Sequence, residues 1–241
     1  MAGRVAKAPT SLAIVPARFG STRLPGKPLA DISGTPMVVR VLKGVAGSVD
    51  RAVAATDDKR VADAVERAGF QAVMTGEAGS GTERVFMAWE RLGRPEELIL
   101  NVQGDEPLVC GDWIRPLLSK PPGDRQVVTL ARRVPSEGAA SPDCVKVAVT
   151  AGGLALYFSR CPVPHGAAVV LEHIGIYAFS PRSLEECASC GPTELSATER
   201  LEQLAWMEAG IRLTVITGEF SGIGVDTPED LERAVAHFES L

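Results

Sequence analysis

Short apolar runs alternate with helix-period segments through the first half of the chain, and this alternation constrains the fold more than any other feature. The runs stand at 12–15, 52–55, 71–74 and 98–102. Segments 36–46, 58–68 and 82–92 lie between them. In the first segment Met37, Val38, Val41, Leu42 and Val45 recur at helical spacing. A further short helix begins near Asp112. This βαβα rhythm predicts an α/β fold with a doubly wound, mainly parallel sheet buried on both faces.

The rhythm changes after Gly123. Strand patterns follow at 127–132, 145–150, 154–158 and 173–179 without long helices between them. Such a block predicts antiparallel strands, either inserted in the sheet or extending it. Helical patterns return at 196–208 and 228–238, with a strand at 212–216 between them. The last helix has clear start signals: Thr227 as a cap, Pro228 in the first turn, then Glu229 and Asp230. The chain reads as one domain, 1–241, with an α/β core over 1–123 and 196–241 and a strand-rich insertion over 124–195.

The loop after the first strand carries the chemistry. Residues 14–29, IVPARFGSTRLPGKPL, hold Arg18, Arg23 and Lys27 together with Gly20 and Gly26. Three cations and backbone N–H groups at the carboxyl end of a first strand suit a polyphosphate. The spacing is not that of a Walker A loop. Gly20 and Gly26 are one residue too far apart, and Pro28 follows Lys27. An ordinary basic loop is the plain alternative.

Composition narrows the ligand. A formal net charge of −5 over 241 residues leaves no broad basic field, so a small anion fits better than a nucleic acid. The five cysteines are scattered, and Cys187 with Cys190 forms a lone C-x-x-C, a weak signal for metal or redox work. The cationic start MAGRVAKAPTSLAIVPAR has too short an apolar run for a signal peptide or membrane span. A cytoplasmic protein with reduced thiols and no membrane partner is the expectation.

Three further motifs sit where ligands are held. In NVQGDEP, 101–107, Asp105 follows the fourth strand, and a carboxylate there is placed to hold magnesium beside phosphates. Glu106 is a supporting group or a turn residue, and a solvated turn explains Gly-Asp as simply. In GVDTPEDL, 224–231, Asp226 alone reads as a helix cap; with Asp105 it makes a carboxylate pair for a metal. In GSGTER, 79–84, the glycines allow close backbone approach, and Arg84 is within reach of a base or the neighbouring loop.

Taken together, nine ordered motifs resemble the 3-deoxy-manno-octulosonate cytidylyltransferases, the CMP-KDO synthetases: PARFGSTRLPGKPL, AATDD, SGTER, NVQGDEP, VKV, LYFSR, HIGIYAF, LEQL and GVDTPEDL. The likeness runs from about Leu12 to the C-terminus. It implies a nucleotide-diphospho-sugar transferase-like fold, and transfer of CMP from CTP to KDO with magnesium for lipopolysaccharide assembly. It also implies a cytoplasmic homodimer, with the strand-rich block serving the sugar and the dimer contact. By motif position, Arg18, Arg23 and Lys27 would meet the CTP phosphates, and Gln103 and the segment from Ser80 to Arg84 the nucleotide. Asp105 and Asp226 would ligate magnesium. Arg160, His173, Tyr177, Glu202 and Gln203 would face the sugar acid.

The chemistry suits these residue types. The anomeric hydroxyl attacks the α-phosphorus in line and pyrophosphate leaves, so positioning and cations outweigh covalent catalysis. Departures fall on the sugar side. The segment 163–172 reads VPHGAAVVLE and lacks the cation that such proteins carry after the proline; His165 is its polar residue. Glu172 stands where a basic residue usually precedes the His173 motif. Ala78 and Gly79 stand in place of a histidine, and Ser196 in place of a glutamate. A related sugar acid as acceptor, or a nucleotide-binding regulator without turnover, is therefore an alternative. A histidine in an apolar strand is often a satisfied core residue, so His173 has a plain reading too, as does Tyr177 if it merely packs. His237 is expected at the surface.

Overall fold

The computed structural model describes residues 9–21, 23–94 and 96–240. Most of the cationic start, 1–8, lies outside the described residues, as does Thr22 of the first loop. In chain order the strands are β1 (Ser11–Pro16), β2 (Asp31–Ile32), β3 (Thr35–Pro36), β4 (Arg51–Thr56), β5 (Gln71–Met74), β6 (Leu98–Val102), β7 (Gln126–Pro135), β8 (Lys146–Val149), β9 (Ala155–Ser159), β10 (Val169–Phe179) and β11 (Arg212–Thr217). The helices are α1 (Met37–Ala46), α2 (Lys59–Arg67), α3 (Gly81–Arg91), α4 (Gly111–Ser119), α5 (Pro181–Ser189), α6 (Glu194–Glu199), α7 (Glu202–Glu208) and α8 (Pro228–Glu239), and a one-turn 3-10 helix spans Lys27–Leu29.

Nine of these strands form one sheet with the path β11-β7-β10-β6-β1-β4-β5. β1 is central and runs parallel to both β4 and β6. Its side chains alternate between two cores, as a strand buried on both faces requires. Leu12 and Ile14 pack with Val85, Trp89, Leu184 and Trp206 beneath α3, α5 and α7. Ala13 and Val15 pack with Val38, Leu42, Val61 and Ile114 beneath α1, α2 and α4. The doubly wound α/β fold and its mainly parallel centre are as expected.

The block 124–195 is divided between two tasks. β10 lies antiparallel between β6 and β7, so both of these long strands extend the main sheet. The hairpin β8–β9 stands off this path, attached to β10. A register irregularity between Ile174 and Tyr177 breaks the β7–β10 ladder beside the sheet's open edge. Bulges of this kind re-aim side chains next to binding sites.

Two helical expectations change. The helix expected over 196–208 is two helices, α6 and α7, because Arg200 turns into the left-handed region at φ 55, ψ 47. The helix α5 was not expected; its signals are Ser180 as cap and Pro181 in the first turn, a sequence pattern hidden between a strand and the C-x-x-C. Within that pattern Cys187 is buried, and the Cys190 N–H donates to the Cys187 carbonyl at 3.2 Å.

One glycine sets how closely α1 packs. A Cβ added at Gly44 would lie 2.0 Å from the Val109 carbonyl oxygen, a backbone atom that cannot swing aside. Gly44→Ala should lower Tm by several degrees. Overpacking of about 1–3 kcal/mol outweighs a helix-propensity gain of about 1 kcal/mol, at roughly 2–4 °C per kcal/mol. An unchanged or raised Tm in a thermal melt would contradict this close approach.

Candidate active site

β1 and β6 are parallel neighbours, so their carboxyl ends open at the same edge of the sheet. The loops that leave them bring Lys27 and Asp105 together. Lys27 Nζ donates to Asp105 Oδ2 at 2.7 Å and to Asp226 Oδ1 at 2.8 Å. Arg23 adds a second cation, with Nη2 3.0 Å from Asp226 Oδ2 and Nη1 2.7 Å from Asp143 Oδ1. Burial opposes the Lys27 charge, but the two carboxylates outweigh it and its pKa is raised.

Local structure fixes each partner. Gly26, at φ 69, turns the chain into the 3-10 helix that begins at Lys27, and the Phe19 ring lies against it. The Val225 N–H donates to the Asp105 carbonyl at 2.9 Å, which ties the segment before α8 to the loop after β6. Asp226 is not the cap of α8. Thr227 caps it, in a capping box with Asp230, and the Asp226 N–H itself donates to Asp230 Oδ2 at 3.1 Å. The Asp226 carboxylate is thereby left for the site.

Two cavities meet at these carboxylates. One, of about 400 Å³, is lined by Arg18, Ser21, Arg23, Lys27, Arg84 and other residues of the first loop and α3 start. The other, of about 940 Å³, is lined by Arg160, His173, Tyr177, Glu202, Gln203 and others. They share Gly79, Ser80, Gln103, Asp105 and Asp226. Gln103 can lie at the junction because Gly175 faces it; a Cβ there would be 3.0 Å from Gln103 Cγ. Ser80 caps α3, accepting from the Glu83 N–H at 3.1 Å, so the positive end of that helix points to the same junction.

The sequence-expected residues thus gather in one place, but two arginines serve as struts. Arg84 lines the smaller cavity and also braces the loops beside it. Its buried guanidinium donates to Asp57 Oδ2 at 2.7 Å and Thr75 Oγ1 at 2.6 Å. Arg160 donates to the backbone carbonyls of Glu199, Pro142 and Arg200 at 2.7, 2.8 and 3.3 Å. It borders the second cavity chiefly as a clamp on its walls. His165 and the whole segment 163–168 line neither cavity.

On the wall of the second cavity, His173 Nε2 lies 2.9 Å from Thr129 Oγ1, and its ring meets Phe158 edge-on with centroids 4.9 Å apart. Tyr177 packs against Trp206, centroids 5.2 Å apart. Thr82 Oγ1 donates to Glu202 Oε1 at 2.9 Å, and burial raises the Glu202 pKa against that bond. Glu106, half-buried beside Asp105, is pushed to about 8 by desolvation first and by the Asp105 charge second.

Several contributors were not read from the sequence. Asp57, from AATDD, also accepts weakly from the Phe19 N–H at 3.4 Å and so links Arg84 to the first loop. Lys146, from VKV, is fully buried and donates to the carbonyls of Ser141, Cys144 and Arg160 at 3.1, 2.6 and 2.5 Å. Arg132 and Arg200 line the second cavity. For Arg132 the available signal was its position at the end of a predicted strand. Arg200 had none beyond its place before LEQL.

The donor set fits magnesium. Among the described residues no cluster of three or more His, Cys, Asp or Glu forms a metal cage. Asp105 and Asp226 converge on Lys27, and two such hard carboxylates are the share a protein gives magnesium when water and phosphate oxygens supply its other ligands.

Known proteins share this architecture. The family model described as Cytidylyltransferase matches residues 12–213. A 3-deoxy-manno-octulosonate cytidylyltransferase of Porphyromonas gingivalis strain W83 is 44% identical, over 95% of this chain and 96% of that one. A protein of the same name from Anaeromyxobacter sp. strain Fw109-5 is 44% identical, over 92% and 94%. The structure of a CMP:2-keto-3-deoxy-manno-octonic acid synthetase in complex with CTP has a TM-score of 0.86 at 35% identity, over 96% of this chain and 99% of that chain. HddC from Yersinia pseudotuberculosis, with GMP-PN, has a TM-score of 0.71 at 14% identity over 94% and 99%, a likeness of fold alone.

The burial of His173 has a consequence for acid stability. Burial holds its imidazole down at about 3, against 6.5 for the exposed ring. Between these values the unfolded chain binds the extra proton and the folded chain does not. Stability is therefore full above 6.5 and falls as pH drops toward about 3, by at most about 1.4 kcal/mol per pH unit. His173→Gln should flatten the fall of Tm from about pH 7 to about pH 5. Equal slopes for variant and native protein would contradict a half-buried ring held neutral in the fold.

Proposed function

The chain belongs to the cytidylyltransferase family, and we propose that it is a 3-deoxy-manno-octulosonate cytidylyltransferase, carrying CMP from CTP to the anomeric hydroxyl of KDO with release of pyrophosphate. The observation that carries this reading is the junction. A cationic cavity and a sugar-sized cavity share Gln103, Asp105 and Asp226, so ligands in the two would meet at the carboxylates.

In this reading CTP lies in the smaller cavity. Arg18, Arg23 and Lys27 hold its phosphates, and the N-terminal turn of α3 with Ser80 adds backbone N–H groups. Arg84 acts from behind, fixing the loop through Asp57. KDO lies in the larger cavity among His173, Tyr177, Glu202 and Gln203. Its anomeric hydroxyl gives up its proton to solvent as the oxygen forms the new bond to the α-phosphorus, while the bond from that phosphorus to the bridging oxygen breaks. Negative charge develops on the departing pyrophosphate, where the three cations of the first loop stabilise it. Magnesium, held by Asp105 and Asp226, would supply Lewis acidity at the phosphate oxygens.

The product serves lipopolysaccharide assembly. A cytoplasmic setting is consistent with CTP as substrate, and among the described residues no helix is long and apolar enough to cross a membrane. A homodimer formed through the 124–195 block is supported by Leu154, Leu156 and Val169, which are 37%, 58% and 50% exposed there. In light scattering the native protein should run as a dimer and Leu156→Arg as a monomer; a native monomer would remove this contact.

Pyrophosphate release from CTP, KDO and magnesium tests the activity directly. Asp105→Asn should lower turnover by about a hundredfold or more while CTP still binds. A panel of sugar acids should show KDO preferred. Failure of CTP to bind in the presence of magnesium, or turnover unchanged in Asp105→Asn, would overturn the assignment.

A further inference from the structure

The larger cavity is crowded with charge: seven carboxyl groups and four arginines line it. Three of the arginines are committed. Arg132 Nε donates to Glu172 Oε2 at 2.7 Å, and its Nη1 donates to the carbonyls of Phe220 and Gly222, each at 3.1 Å. Arg160 is held by the three carbonyls already described. Arg233 pairs with Asp230, one turn away on α8. The fourth, Arg200, is exposed, and among the described residues its guanidinium has no ion-pair or hydrogen-bond partner.

The backbone beneath Arg200 is fixed with unusual thoroughness. It occupies the left-handed region, which costs a residue with a Cβ about 1–2 kcal/mol and persists only where the surroundings impose it. Here they do. The Glu199 carboxylate accepts from the Tyr157 hydroxyl at 3.2 Å, the Ser159 hydroxyl at 3.1 Å and the Arg160 N–H at 2.9 Å. Arg160 grips the Glu199 and Arg200 carbonyls, and the Leu201 N–H donates to the Ser196 carbonyl at 3.0 Å. The turn that breaks the helix thus delivers Arg200, Glu202 and Gln203 to one cavity in succession.

We propose that Arg200 anchors the carboxylate of the sugar-acid acceptor, an inference that rests on reading the larger cavity as the acceptor site. A carboxylate is a planar, two-oxygen acceptor that matches a guanidinium fork. Binding at Arg132 or Arg233 would require an existing ion pair to open or be shared; binding at Arg200 breaks none. The segment 163–168, where the family resemblance places a cation, does not reach the cavity. Arg200 supplies the positive charge from a different wall.

Steady-state pyrophosphate release by the full chain, with CTP and magnesium, tests this. KDO is compared with its C1 amide, a neutral analogue of the same shape. Asparagine tolerates the left-handed region, so Arg200→Asn keeps the turn. It should raise KM for KDO about tenfold to a hundredfold, the loss of a charge-assisted pair, and shrink the preference for acid over amide by a similar factor. KM for CTP, kcat at saturating KDO and Tm should stay at native values, and Arg200→Lys should recover part of the loss. A native KM and acid preference in Arg200→Asn would overturn the anchor. So would a rise in both KM values with a lowered Tm, which would make the role structural. If the native protein turns over no KDO, the reading of the cavity itself fails, and that is seen before any variant is made.

Discussion

Two carboxylates drawn to one ammonium govern the site. Asp105 and Asp226 come from loops far apart in the chain, and like charges about 4 Å apart repel by roughly 1–4 kcal/mol at surface-to-aqueous dielectrics. Lys27, largely shielded from water, bonds to both and turns that repulsion into a shared attachment. The backbone adds a neutral tie, from the Val225 N–H to the Asp105 carbonyl. Everything larger in the fold serves this meeting. β1 and β6 are parallel neighbours, so residues following each emerge side by side, and the chain returns after β11 to place Asp226 over both.

Around that centre, charge is used in two ways that residue type alone does not separate. Arg84, Arg160, Arg132 and the buried Lys146 spend their donors on carbonyls and carboxylates of the protein, and so hold loops in register. Arg18 and Arg200 show no such commitment among the described residues. A cation saturated by backbone carbonyls or by carboxylates behind the site is costly to recruit for a ligand, because each bond given up leaves a buried or half-buried acceptor without a partner; Lys27 and Arg23 differ, since Asp105 and Asp226, which they bond, lie in the site and would pass to magnesium. The distinction between strut and ligand is therefore a matter of hydrogen-bond accounting, which needs the fold.

This also explains what could be read from the sequence. β1, β4 and β6 were legible as apolar runs because a strand buried on both faces tolerates few polar residues; β5, at the sheet's edge with Gln71 and Met74 exposed, was legible from its place in the βαβ rhythm. α8 was legible from its cap. The first loop and Asp105 were legible because a sheet's carboxyl edge is a general ligand site. The break at Arg200 was not legible: nothing in SATERLEQL departs from a helical pattern, and the turn is imposed by Glu199 reaching β9 and by Arg160 reaching back. α5 was masked by its place between β10 and the C-x-x-C pair. The roles of Arg84 and Arg160 were hidden because their partners, Asp57 and the 142 and 199–200 carbonyls, are distant in sequence or carry no side-chain signature.

In the proposed mechanism Asp105 and Asp226 act at one reacting centre. A double-mutant cycle on pyrophosphate release measures this most directly, with Asp105→Asn, Asp226→Asn and the pair together. Groups that act as a unit are non-additive, so the pair should lose little more activity than the worse single variant. Losses that multiply, as for independent sites, would contradict a shared centre.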